Sequence, residues 1–172
     1  MEKSQIEAAC LAIRSGKNAI ILVHQNPDAD ALGSALALAR ALRCLGKEVF
    51  VISEDEIPDT YDFIPDIETV IRDTTRRDFD IGIACDVQEP FRVGKSKDPL
   101  YSAQVLITID HHQIVAPVGP AEEAGQETEP IPEYSGQRIL LLDPTAAATA
   151  EIIIELVDAL AVPLDLQIAR QI

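Results

Sequence analysis

The sequence AIILVHQNPDADALGSALALARALRCLG, residues 19–46, contains the clearest structural signal in the chain. Its first part, Ala19–Val23, is apolar and is followed at once by the polar stretch HQNPDADALGS, His24–Ser34. A short apolar run bounded by polar residues predicts a buried strand of a parallel sheet. A helical pattern follows, and Gly46 supplies the usual left-handed stop. The stretch therefore predicts a strand that leads through a polar turn into a helix, Asp30–Leu45.

The same alternation continues on both sides of this unit. An amphipathic helix precedes it, and further strands, a loop with helical turns and two helices follow it: helix Glu2–Arg14, strand Lys47–Ser53, loop Asp55–Thr69, strands Asp80–Cys85 and Gln104–Ile109, a candidate fifth strand Arg138–Leu142, helix Thr149–Ala161, and the start of a helix after Pro163. Strands that alternate with helices indicate βαβ units with right-handed crossovers. The predicted fold class is α/β, a Rossmann-like doubly wound, mainly parallel sheet flanked by helices.

One segment departs from this pattern. Residues 116–137 contain five glutamates and four prolines but neither Lys nor Arg. Such a composition resists packing into a core. We therefore predict a mobile acidic loop at residues 116–137, within a single domain that spans residues 1–172.

The composition excludes several classes of partner. With 29 acidic against 14 basic residues, the net charge of −15 repels polyphosphate backbones, which argues against a long nucleic-acid groove. A short substrate that is reached through bound cations is compatible with this charge. No apolar run approaches the roughly 20 residues that span a bilayer, and the N-terminus MEKSQIEAACLAIRSGK does not have the pattern of a signal peptide. We interpret the protein as cytoplasmic, without a membrane partner.

Three of the predicted strands lead into residues that can bind metal ions. In a parallel sheet the carboxyl ends of the strands lie at the same edge, where ligands bind. The residues that follow the three strands are His24, Asp28 and Asp30 after the first, Asp86 after the strand Asp80–Cys85, and Asp110, His111 and His112 after the strand Gln104–Ile109. This convergence, more than any single motif, indicates a site.

Each residue also has a structural explanation. Asp28 or Asp30 is a favoured helix cap, His24 a hydrogen-bonded loop residue, and Asp86 a turn former. Together, however, these carboxylates repel one another and are costly to bury unless a divalent cation lies between them. Imidazole and carboxylate suit Mn²⁺, Fe²⁺ or Zn²⁺ better than Ca²⁺. Five or more ligands exceed the needs of one tetrahedral ion, so two ions that share a bridging carboxylate are predicted.

Gly33 lies in the first turn of the helix that follows the polar stretch. Because glycine costs about 1 kcal/mol there relative to alanine, its presence requires a reason. The missing side chain lets ions or a phosphate approach the helix N-terminus. The alternative is that Gly33 only permits close packing of the helix on a strand.

These residues resemble a known family. HQNPDADALGS (residues 24–34), Asp86 in ACDVQEPFRVG, and IDHH (residues 109–112) are similar to the first three motifs of the DHH phosphoesterases. That superfamily includes RecJ-type exonucleases, nanoRNases that also dephosphorylate pAp, cyclic di-AMP phosphodiesterases and family II pyrophosphatases. The resemblance is strongest to the nanoRNase and exopolyphosphatase-related branch, where DPTAAATAEII (residues 143–153) resembles a segment normally richer in Ser and Thr. Ala148 stands there in place of the usual serine.

The resemblance implies roles for individual residues. One Mn²⁺ is expected on His24 and Asp28, the other on Asp30 and His111, with Asp86 bridging the two, and with Mg²⁺ or Co²⁺ as alternatives. Asp110 is expected to orient His111, His112 to contact or protonate the scissile phosphate, and Arg92 to act as a structural or phosphate-side cation. In the family, a fourth motif aspartate and a DHHA1-type domain follow. Both positions would fall beyond Ile172, so one ligand of the second ion is expected to be missing.

The resemblance thus implies a manganese-dependent phosphoesterase that acts on phosphomonoester or phosphodiester bonds of small nucleotides or short oligonucleotides through a two-metal-activated water. The alternative is a catalytically impaired binding or regulatory module that holds a nucleotide or metal, with one ion in place of two. A simple Rossmann-type nucleotide binder is disfavoured because no GxGxxG follows the first strand. The sequence leaves open which phosphoester is cleaved and whether the chain forms a homodimer.

Overall fold

A computed structural model describes residues 2–88, 92–94, 97–113 and 134–172 of the chain. Five strands and five α-helices lie within these ranges, together with 3₁₀ turns at Asp59–Tyr61 and Ile67–Thr69. They are β1 (Asn18–Val23), β2 (Glu48–Ile52), β3 (Ile81–Cys85), β4 (Val105–Asp110) and β5 (Gln137–Leu142), and α1 (Lys3–Ser15), α2 (Ala29–Cys44), α3 (Lys97–Tyr101), α4 (Thr149–Ala159) and α5 (Leu166–Gln171). None of the helices in these ranges is long and apolar enough to cross a membrane.

The five strands form one parallel sheet in the order β2-β1-β3-β4-β5. The chain runs outward from β1 to β2 and then returns to the other side of β1 to form β3. Such a reversal opens a crevice beyond the carboxyl ends of the two central strands, which is where ligands bind in doubly wound sheets. The prediction of a doubly wound parallel sheet is confirmed, including its candidate fifth strand.

Alternate residues of each strand pack against opposite layers of helices, as the period of two requires. Ile21, Ile83 and Ile107 belong to the larger core, which includes buried side chains of α1, α2, α4 and α5. Ile20 and Leu106 belong to a smaller core on the other face, which includes Leu100 of α3. Continuous apolar strands such as β1 and β3 are buried on both faces, so their sequences do not alternate.

Helix α5 is attached to α2 by an ion pair. The Arg40 guanidinium donates two hydrogen bonds to Asp165 Oδ2, at 2.9 Å from Nε and 2.6 Å from Nη2. Asp165 also caps α5 by accepting from the Ile168 amide at 2.9 Å. Arg40 and the backbone amides of Ile168 and Gln167 lower the pKa of Asp165 to about 2. The helix predicted after Pro163 therefore forms and is held against the helix that carries the site.

Most of the predicted acidic loop, residues 116–137, lies outside the described residues, which resume at residue 134. Gln137, its last residue, is the first residue of β5. The loop predicted over Asp55–Thr69 contains the two 3₁₀ turns, in agreement with the expectation of helical turns.

Gly33 serves packing between helices. A Cβ atom at this position would lie 2.1 Å from the backbone oxygen of Gln171, the last residue of α5. The idea that the missing side chain admits ions or phosphate is therefore wrong, because the space is filled by the α5 backbone. The alternative of close packing holds in a modified form, since the partner is a helix and not a strand.

This contact predicts the effect of Gly33→Ala. Alanine normally stabilises a helix interior by about 1 kcal/mol relative to glycine. Here the added methyl group must displace α5, so we expect Gly33→Ala to lower the free energy of unfolding by about 1–3 kcal/mol. Urea denaturation followed by circular dichroism measures this change. A variant as stable as the wild type, or more stable, would show that α5 does not pack on Gly33.

Candidate metal centre

The site is formed where three neighbouring strands end. Val23 of β1 is in register with Cys85 of β3, and Cys85 is in register with Ile109 of β4. The three residues that directly follow Val23, Cys85 and Ile109 in the chain therefore lie side by side. These residues are His24, Asp86 and Asp110. The sheet register thus assembles the motifs that the sequence separates by up to 86 positions.

The first group of donor atoms consists of His24, Asp28 and Asp86, which offer one atom each within 4.8 Å of one another. His24 Nδ1 lies 2.7 Å from the Gln25 carbonyl, so a proton on Nδ1 is donated there. This leaves His24 Nε2 facing Asp86 Oδ2 at 3.5 Å. The Asp86 carboxylate raises the pKa of His24 against the opposing effect of burial. With a cation present, this arrangement would suit a neutral imidazole ligand whose tautomer is fixed by its other nitrogen.

Asp28 is both a helix cap and a donor of this group. Its Oδ1 accepts from the Ala31 amide at 3.0 Å, which caps the N-terminus of α2. A carboxylate has two oxygens and about four lone-pair sites, so capping leaves capacity for a cation. The two explanations of Asp28, cap and ligand, are therefore compatible.

The second group consists of Asp86, His111 and His112, again with donor atoms within 4.8 Å. His111 Nε2 lies 4.0 Å from Asp86 Oδ1 and 3.6 Å from Asp30 Oδ2. His111 Nδ1 is 3.3 Å from the Ala146 carbonyl. Asp30 therefore contacts its expected partner His111, although it belongs to neither group of donor atoms among the described residues.

Asp86 is the residue that the two groups share. It is 3% exposed and has a φ of +60°, a left-handed conformation that aspartate tolerates better than most residues. Burial opposes the charged form, but contacts with His24 and Thr149 outweigh burial and lower the pKa of Asp86. Its Oδ2 is buried and has no hydrogen-bond partner among the described residues. A buried, ionised oxygen without a donor is costly, and a divalent cation between the two groups would remove that cost.

Asp110 does not make the contact predicted from the resemblance. Its Oδ1 lies 2.6 Å from His112 Nδ1 and accepts from the His112 amide at 3.2 Å. The expectation that Asp110 orients His111 is therefore wrong for this structure, since the turn after β4 directs His112 toward it. The hydrogen bond with Asp110 raises the pKa of His112. The His112 side chain is 58% exposed, so its ring reaches the open side of the site.

The N-terminus of α4 also enters the site, which sequence reasoning did not predict. Thr149 is fully buried, and its hydroxyl donates to Asp86 Oδ1 at 2.7 Å. The amides of Thr149 and Ala150 donate to Asp30 at 2.8 and 3.1 Å. The N-cap residue of α4, Ala148, has no side chain that can cap. The lack of a capping side chain at Ala148 was the one signal that another residue must serve the helix end.

Arg92 lies at the rim of the site. Its backbone carbonyl accepts from the Gln25 amide at 3.0 Å, which ties residues 92–94 to the turn after His24. The side chain is exposed, and its charge acts against the pKa increase of His112. The structure therefore places a cation near the exposed histidine.

Comparisons with known proteins identify relatives of this chain. Residues 18–171 match the family described as "DHH family, N-terminal domain". The chain is 29% identical over 183 residues to the bifunctional oligoribonuclease and PAP phosphatase NrnA of Thermus thermophilus, a match that covers 99% of this chain and 45% of that protein. The chain thus spans less than half the length of this relative.

Two solved structures are similar in fold. An exopolyphosphatase-related protein from Bacteroides fragilis superimposes with a TM-score of 0.73 at 22% identity, covering 92% of this chain and 44% of that one. RecJ from Thermus thermophilus, solved in complex with Mn²⁺, gives a TM-score of 0.50 at 21% identity over 97% of this chain and 22% of that one. DHH relatives are phosphoesterase hydrolases. The resemblance predicted from the three motifs is confirmed, and the chain belongs to the DHH family.

Proposed function

We propose that the protein is a manganese-dependent phosphoesterase that hydrolyses phosphomonoester or phosphodiester bonds of small nucleotides or short oligonucleotides. The observation that carries this proposal is the pair of donor groups that share the buried Asp86 at the switch point of the sheet. The Thermus relative, an oligoribonuclease and PAP phosphatase, supports the substrate class. Residues 1–172 are taken together as one catalytic domain, since the five strands form a single sheet.

The residues present fit a pair of divalent ions. His24 and Asp28 would hold one, His111 and Asp30 the other, and Asp86 would be shared. The orphaned Asp86 Oδ2 and the mixture of imidazole and carboxylate donors, which suits Mn²⁺ better than Ca²⁺, support this assignment. When bound, such a pair stabilises charge on a phosphoryl group and lowers the pKa of a coordinated water.

The remaining residues of the site would handle the substrate. The Asp110 carboxylate accepts a hydrogen bond from His112 Nδ1. This leaves His112 Nε2 on the exposed side of the ring. A protonated His112 is thus suited to deliver a proton to the leaving oxygen, and Asp110 to keep its tautomer and orientation. Arg92 offers a charge for a phosphate oxygen at the rim. With a net charge of −15, such local cations are needed to admit an anionic substrate.

Removal and return of metal test this proposal. Metal-free protein should hydrolyse neither a dinucleotide nor pAp, and Mn²⁺ should restore turnover, with Mg²⁺ and Co²⁺ as comparison ions. Release of nucleoside or phosphate, followed by chromatography, measures the reaction. Full activity in excess EDTA would contradict metal dependence. Mn²⁺ binding without turnover on any phosphoester would favour the alternative, a binding module.

A further inference from the structure

Helix α4 meets the candidate metal centre through Thr149. Its hydroxyl lies 2.7 Å from Asp86 Oδ1. The imidazole nitrogens around this carboxylate are farther away, at 3.5 Å for His24, 3.7 Å for His112 and 4.0 Å for His111. Both Thr149 and Asp86 are buried, so water does not compete for this hydrogen bond.

The hydrogen bond matters because an aspartate carboxylate rotates easily. The last torsion of Asp has a broad, roughly two-fold profile, and nothing in the backbone fixes which oxygen faces which neighbour. A donor on one oxygen therefore sets the direction of both. Here Oδ1 receives Thr149 and faces His111 and His112. Oδ2 faces His24 and has no donor among the described residues.

We propose that Thr149 is a positioning residue that fixes the rotation of the Asp86 carboxylate, so that each of its oxygens serves one of the two donor groups. This inference rests on the proposed function, in which Asp86 is shared by two divalent ions. Thr149 touches neither an ion nor the substrate in this account, and acts only through Asp86.

A residue of the candidate metal centre, Asp30, also fixes the position of Thr149. Ala148 provides no side-chain cap for α4, and Asp30 accepts from the amides of Thr149 and Ala150 in its place. Asp30 belongs to α2, and Asp28 is the N-cap residue of the same helix. The start of α4 is thereby tied to the same helix end that supplies two predicted ligands, and the Thr149 hydroxyl has little freedom to leave Asp86.

Two substitutions at one position test the role of the hydroxyl. Thr149→Val keeps the shape and removes the donor, whereas Thr149→Ser keeps the donor. Loss of a group that orients a ligand typically lowers metal affinity about 10–100-fold. We expect this loss in Mn²⁺ affinity for Thr149→Val, measured by calorimetry on metal-free protein, and near-wild-type affinity for Thr149→Ser. Electron paramagnetic resonance should also show weakened coupling between the bound ions in Thr149→Val.

Controls separate positioning from support of the fold. Thr108→Val removes another buried hydroxyl, in β4, and should leave Mn²⁺ affinity unchanged. Circular dichroism of the metal-free variants confirms that they are folded. If Thr149→Val does not fold, Thr149→Cys, with its weaker S–H donor, should give an intermediate affinity.

The outcomes are distinct. The positioning role would be overturned if folded Thr149→Val, or Thr149→Cys in its place, shows wild-type Mn²⁺ affinity and a wild-type resonance spectrum. This holds even if the melting temperature of the variant falls. Equal loss in Thr149→Ser would overturn it too, because the hydroxyl would then not be the cause. Wild-type protein that binds no Mn²⁺ would instead overturn the proposed function, and this inference with it.

Discussion

Replacing Asp86 with asparagine is expected to abolish Mn²⁺-dependent hydrolysis almost completely, by about 10³-fold or more in kcat/KM. A metal pair contributes several kcal/mol to stabilising the transition state of phosphoryl transfer, and each 1.36 kcal/mol is about tenfold in rate. Asp86 is common to both groups of donor atoms, so both ions of the proposed pair would depend on its charge. The asparagine side chain has nearly the same shape, and its oxygen can still accept from Thr149.

The matched control for this variant is Asp80→Asn. Asp80 directly precedes β3 and Asp86 directly follows it, so the same chemical change is made at opposite ends of one strand. Asp80 contacts the Lys17 amide and the Gln104 side chain, and neither group belongs to the metal centre. Steady-state kinetics on a dinucleotide should show normal turnover for Asp80→Asn. Normal turnover in Asp86→Asn would contradict the shared-carboxylate mechanism.

Replacing His112 with glutamine is expected to reduce kcat about 10²–10⁴-fold, the usual contribution of a positioned acid or base. Mn²⁺ affinity should change little, because Asp110 holds the His112 Nδ1 and the side chain is largely exposed. In the proposed reaction the ring would donate a proton to the leaving oxygen. Asp110→Asn should cause a smaller loss in kcat. The His112 imidazole is still present to act as an acid in this variant, but its orientation is no longer fixed.

The choice of substrate sharpens this second prediction. A nucleoside leaves as a strongly basic alkoxide that needs a proton, whereas p-nitrophenolate leaves without one. His112→Gln should therefore be much more impaired on a dinucleotide than on bis(p-nitrophenyl) phosphate. Equal impairment on both substrates would argue that His112 binds phosphate and does not donate a proton. A large loss of Mn²⁺ affinity would instead make His112 a metal ligand.

Much of the fold follows from local sequence. The apolar runs of β1, β3 and β4 are short, end in polar residues and alternate with helices, so their assignment and the parallel sheet could be predicted. The convergence of His24, Asp86 and His111 follows as well, because parallel strands bring their carboxyl ends to one edge. These features depend on the order of elements and on little else.

Other features depend on contacts between distant residues, and sequence alone did not predict them. The Gln171 carbonyl fills the space over Gly33, a contact that requires the placement of α5. Thr149 reaches Asp86 across 63 positions, although the segment around it reads as an ordinary helix start.

The pairing of Asp110 with His112 depends on how the chain turns after β4. Adjacent histidines have nearly the same sequence context, so a choice between His111 and His112 as the partner of Asp110 needs the backbone geometry. The structure makes that choice through the 2.6 Å contact between Asp110 Oδ1 and His112 Nδ1. It also leaves His111 to face Asp30 and Asp86, the neighbours expected of a metal ligand.

We propose that one buried carboxylate, Asp86, joins two metal sites. Titration of metal-free wild-type protein with Mn²⁺, followed by electron paramagnetic resonance, tests it directly. We expect two ions to bind per chain and the spectrum at saturation to be that of an exchange-coupled pair, which Asp86→Asn abolishes. Two uncoupled ions, or a coupled pair that persists in Asp86→Asn, would contradict it.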